Sequence, residues 1–148
     1  MSQDILDEQQ EHLAQLLEGI QRCAWFLHQS EAKIEWAIDP SWLTEHKKDV
    51  DLFETLAAIN ERFAKLQDSL ASAMRHSALL AGESSDSFLK VLAFFEEQGV
   101  IDATSDWQRC RAVRNMAAHD CPPTMWRSRC ISTCCMNSPT CSSAPLAS

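Results

Sequence analysis

The chain has 148 residues, a formal charge of −8 and enough apolar content for one core, so a single principal domain is expected. No apolar run approaches the roughly 20 residues a membrane helix needs, and Met1–Glu8 is too acidic and polar for a secretory leader; the expected setting is the reducing cytoplasm, away from membranes. Residues 121–148 hold Arg127, Arg129 and no acid, so residues 1–120 carry −10, a charge that repels phosphate backbones and confines any RNA chemistry to a local basic cleft.

No strand-like alternation of useful length occurs, Tyr is absent, and apolar residues recur at helical spacing. A first helix is predicted over about 4–37, with Leu13, Leu17, Ile20, Ala24 and Leu27 in one stripe and Trp25 and Phe26 on a second flank. Asp39-Pro40-Ser41 is expected to end it. A second helix is predicted over about 49–81. Its Leu52, Leu56, Ile59, Phe63, Leu66, Leu70 and Ala73 alternate four and three apart, the seam of an antiparallel bundle. Gly82 is its expected stop. A third helix, about 87–98, should bury Phe88, Val91, Leu92 and Phe95 and end at Gly99. A fourth begins at Ser105, which with Gln108 fits a capping box, and runs to about His119. The fold class expected is all-α, an antiparallel four- to five-helix bundle over residues 1–120.

The last of these helices carries the chemistry. It reads Trp107-Gln108-Arg109-Cys110-Arg111-Ala112-Val113-Arg114-Asn115-Met116-Ala117-Ala118-His119. Arg111, Asn115 and His119 are four apart and share one helix face. Arg114 lies about 100° round from Asn115, on the flank away from His119. One helix therefore keeps Arg114 and His119 apart, whereas two copies across a symmetric interface bring them into one cleft. Such a set suits RNA cleavage without metal. Imidazole, with an unperturbed pKa of about 6.5, serves as acid or base at neutral pH. Arg114 offers a planar fork to a phosphate as negative charge builds, Asn115 can orient His119 or hold a phosphate oxygen, and Arg111 adds a substrate contact. The bland alternative is a solvated arginine face and a histidine that favours the negative end of a helix dipole.

Arg114-Asn115-Met116-Ala117-Ala118-His119 resembles the Arg-x4–6-His signature of the HEPN superfamily, including its polar residue after Arg. Phe88–Trp107 is similar to the HepT-type branch, with a phenylalanine-rich helix, a Gly-Val-Ile turn at 99–101, an acidic loop and a Trp-led helix. The resemblance is loose over 5–120 and close over 86–120. It implies a homodimer with two motifs facing one RNA-binding cleft, Arg114 and His119 as catalytic pair, and a toxin–antitoxin role with a small nucleotidyltransferase as antitoxin partner. In HepT-type toxins a Tyr that the partner modifies follows the His by two positions; here that position is Cys121. Two other readings stay open: a non-catalytic HEPN module that binds a nucleotidyltransferase or nucleotide, and a purely structural bundle.

Other constellations are weaker. Glu8 and His12, four apart, read as a surface ion pair, and His46-Lys47-Lys48 as a solvated turn. Trp36 and Trp42 bracket Pro40 and should pack the corner between helices. Cys23 and Cys110 read as buried small hydrophobes, without disulfides in a reducing compartment. The other five cysteines crowd into the last 28 residues, and Cys130, Cys134, Cys135 and Cys141 lack the paired spacing of a zinc module. No metal ligand set and no cofactor is expected.

Residues 121–148 change composition abruptly where a closing helix is due. With Ser read as TCN and Arg as CGN, the frame starting at each third codon base runs without a stop and removes every Cys. Across Cys134-Cys135 it forces leucine, and across Met136-Asn137 glutamate, with apolar positions three and four apart as in an amphipathic helix. The other shifted frame meets TGA across Met136-Asn137. The expectation is that 121–148 is read out of frame and the closing C-terminal helix is lost or altered.

Overall fold

A computed structural model of the chain describes residues 3–35 and 38–119, and the backbone alone for Pro40 and residues 116–119. The helices are α1 (Gln3–Glu31), α2 (Pro40–Glu45), α3 (Val50–Leu80), α4 (Phe88–Glu97) and α5 (Thr104–His119), with no strand among the described residues. The chain is an all-α helical bundle, as its periodicity requires. The expected tail, the closing helix and Trp36 lie outside the described residues.

Two compact units divide the chain, one of Met1–Ile34 and Val50–Thr104, the other holding α2 and α5 from Ser105 on. The first unit is an antiparallel hairpin of α1 and α3 with α4 against α3. The direction is fixed by side chains that cross the hairpin. Near one end His76 Nε2 lies 2.9 Å from the Gln9 carbonyl, and near the other Arg62 donates to Ser30 Oγ and, at 3.4 Å, to the Phe26 carbonyl. The Cys23 thiol donates to the Arg62 carbonyl at 3.4 Å.

The face that α1 turns inward is a heptad row: Leu6, Gln9, Leu13, Leu16, Ile20, Cys23, Leu27 and Ser30 are buried or half-buried, while nearly every other residue of α1 is exposed. The expected stripe is right at Leu13, Ile20 and Leu27 and wrong at Leu17 and Ala24, both exposed. The seven-residue seam predicted for α3 is buried or half-buried throughout. α3 also buries Gln67, Met74 and Ala78, because it packs on two helices and not one. Trp25 and Phe26 do not pack inward. Each is exposed, their rings meet edge to face at 4.9 Å, and the Arg62 guanidinium sits 5.6 Å from the Phe26 centroid.

α1 stops at Glu31, short of the expected 37. The Lys33 and Ile34 amides reach back three residues, to Ser30 and Glu31, closing the helix in tight turns. Beyond them Ile34 and Ile38 are β-branched, and Pro40 forces Asp39 into extended backbone (φ −87°, ψ 142°). That proline does not only end a helix. It occupies the first turn of α2, where a missing N–H and a fixed φ are assets.

The ends of α3 and α4 are set by glycine as predicted. Gly82 and Gly99 have φ of +80° and +70°. In each case the next amide reaches back five residues, Glu83 to Ala78 at 2.9 Å and Val100 to Phe95 at 2.9 Å. α4 lies within one residue of prediction at each end and buries Val91 and Leu92 fully, with Phe88 and Phe95 half-buried. The Arg75 guanidinium covers the Phe88 ring at 4.9 Å.

α5 starts at Thr104, so Ser105 lies inside the first turn and is not the predicted cap. The first residue is held instead by Glu96, whose Oε2 accepts from the Thr104 amide at 2.8 Å and from its hydroxyl. These bonds to the ionised form hold the Glu96 carboxyl below its ordinary value. Their contribution is therefore present above the unfolded carboxylate range and lost as pH falls through the lower, folded value. A carboxyl-detected NMR titration should place the Glu96 midpoint below that of an ordinary glutamate, and Thr104→Val should move it up. An unshifted midpoint in the parent protein would contradict the assignment.

Candidate functional site

α5 is a basic helix on an acidic chain. Residues 104–119 contain Arg109, Arg111 and Arg114 against a single acid, Asp106. Arg109 and Asp106 form an ion pair one turn apart. Arg111 is exposed and among the described residues makes no ion pair, so its guanidinium faces water. Asn115, one turn on, is also exposed. The two share one face of the helix, as the four-residue spacing requires.

Arg114 sits elsewhere on the helix and is half-buried, engaged by neighbouring groups. Trp107, two turns before it, is half-buried as well. The backbone is helical through His119, which is the final residue of α5; its side chain lies outside the described residues. Arg114 and His119 are five residues apart, about 7.5 Å along the axis at the helical rise. The backbone thus brings Arg111, Asn115 and His119 to one face and leaves Arg114 on its flank.

Compared with known proteins, the chain matches no family model, no curated protein and no solved structure. The case for a site rests on its own residues.

Cys110 is half-buried, short of the full burial expected of it, and Cys23 is a free, half-buried thiol. Lys47 and Lys48 are an exposed turn, as expected. Trp42 stacks on His46 at 4.2 Å, and the His46 Nδ1 lies 2.8 Å from the Trp42 carbonyl. Glu8 and His12 do not form the expected ion pair. The His12 ring turns instead to His76 on α3, 5.0 Å between centroids and nearly perpendicular. Sequence spacing along one helix could not find that pair, because it depends on the register of the α1–α3 hairpin. Among the described residues no group of three or more His, Cys, Asp or Glu could hold a metal ion, and no helix is long and apolar enough to cross a membrane.

Proposed function

We propose that this chain is a HEPN-like, metal-independent endoribonuclease that works as a homodimer, with Arg114 and His119 as its catalytic pair. The observation that carries the reading is the concentration of positive charge on α5, three Arg against one acid in a chain of charge −8, on the helix that ends at His119. RNA is the substrate this chemistry selects, because its 2′-hydroxyl is an internal nucleophile. His119 accepts the 2′-hydroxyl proton. The oxygen attacks the adjacent phosphorus, a P–O bond to the 2′-oxygen forms, and the bond to the 5′-oxygen breaks. A 2′,3′-cyclic phosphate remains, and the departing 5′-oxygen is protonated by an imidazolium. The Arg114 guanidinium holds the phosphate as charge builds on it, Asn115 orients the imidazole, and Arg111 binds the flanking backbone.

The dimer follows from the divergence of Arg114 and His119 on a single helix. The partner class is a small nucleotidyltransferase acting as antitoxin, and the setting is the cytoplasm. A non-catalytic binding module is favoured by one observation, the half-burial of Arg114 among groups that already engage it.

Purified protein incubated with single-stranded RNA in EDTA should cleave it, and light scattering should give twice the chain mass at micromolar concentration. Intact RNA from a folded dimer favours the binding module, and a strict monomer contradicts the paired-motif cleft.

A further inference from the structure

His12 on α1 and His76 on α3 bring two imidazole rings together across the hairpin. His76 Nε2 lies 2.9 Å from the Gln9 carbonyl oxygen. A carbonyl only accepts, so Nε2 carries the proton and Nδ1 of the neutral ring carries the lone pair. Ligating histidines are held in this way, one ring nitrogen donating to a backbone carbonyl so that the other is fixed in tautomer and direction. The second ring stands 5.0 Å from the first between centroids, at 78° between planes. Two imidazoles on one tetrahedral ion, with metal–nitrogen bonds of about 2.0–2.1 Å, put their centroids roughly 5 Å apart. His12 is exposed and His76 half-buried, so the pair opens to water on one side and rests on the hairpin on the other.

We propose that His12 and His76 bind a divalent transition metal of the zinc or copper class, which clips the start of α1 to the end of α3. Neutral imidazole suits these ions and not magnesium or calcium, which take oxygen ligands. Two imidazoles are the protein's whole contribution, since no third His, Cys, Asp or Glu is arranged around them among the described residues. Water completes the sphere. The clip joins residues far apart in the chain, so binding selects the closed hairpin over the unfolded chain. It is independent of the RNA chemistry assigned to α5, which needs no metal.

The test is zinc chloride added to the full chain in buffer free of chelator, with unfolding followed by far-ultraviolet circular dichroism. Zinc at about a hundredfold over its dissociation constant should raise Tm by roughly 5–10 °C. EDTA should reverse the shift. His12→Gln and His76→Gln should each lose it, and the latter keeps an amide that can donate to Gln9. No shift in the parent protein, or a shift retained in both variants because cysteines hold the ion, overturns the site. Should a variant fail to fold, nickel broadening of histidine ring resonances in the parent protein decides. Signals of His12 and His76 should vanish before those of His28 and His46; uniform broadening, or none, refutes the proposal.

Discussion

Arg114→Ala and His119→Ala are each expected to lower RNA cleavage by about 10²–10⁴-fold, the range for removing a general acid–base or a charge-stabilising donor. The two losses should differ in character. Loss of His119 removes the proton carrier, and an arginine cannot replace it near neutral pH. Loss of Arg114 removes the fork that holds the phosphate, and Arg114→Lys should restore little, because a point charge does not reproduce planar, two-pronged contact. Asn115→Ala and Arg111→Ala should cost less, since each supports one of those groups or the flanking backbone. Far-ultraviolet circular dichroism checks that every variant keeps its helices. Undiminished cleavage by either principal variant would remove the pair from the chemistry.

Leu56→Ala should destabilise the fold by about 2–5 kcal/mol, the cost of a leucine cavity in a packed core. Leu56 is fully buried in α3, in the seam predicted from sequence. For a chain of this size the loss corresponds to a fall in Tm of roughly 5–20 °C. Leu89→Ala, at an α4 position 56% exposed, should stay within about 0.5 kcal/mol of the parent protein. Urea titration of both variants separates the two outcomes. Equal losses would mean that the helices pack on faces other than those described.

The fold was legible where local rules and packing agree. The α3 seam announces itself because seven apolar residues keep a strict alternation, and Gly82 and Gly99 mark helix ends because their φ is positive. Apolar spacing places the seam of α1 one position off in places, because polar Gln9 and Ser30 belong to it while apolar Leu17 and Ala24 do not. Ser30 is buried because its hydroxyl receives Arg62 from α3 and donates to the Phe26 carbonyl, partners no periodicity reveals. α2 is hidden in the sequence because Asp39-Pro40 reads as a stop, although proline serves equally as the first residue of a new helix. The Ser105–Gln108 capping box failed because Glu96, on the preceding helix, takes hold of Thr104 first.

The candidate site was legible as a pattern on one helix, and only that far. A four-residue spacing within α5 places Arg111 and Asn115 on one face, and both are exposed. The partial burial of Arg114 depends on what surrounds α5, and spacing is blind to it. The His12–His76 contact was invisible for the same reason, since it arises from hairpin register.

The most direct test of the account is the chemistry of the RNA ends. Wild-type protein and His119→Ala, purified in parallel, are incubated with a defined single-stranded RNA in excess EDTA, and the fragments are weighed by mass spectrometry. Attack by the 2′-hydroxyl predicts fragments ending in 2′,3′-cyclic phosphate with 5′-hydroxyl partners, formed by the wild type and absent with the variant. Fragments with 3′-hydroxyl and 5′-phosphate ends, cleavage abolished by EDTA, or equal cleavage by His119→Ala would contradict it.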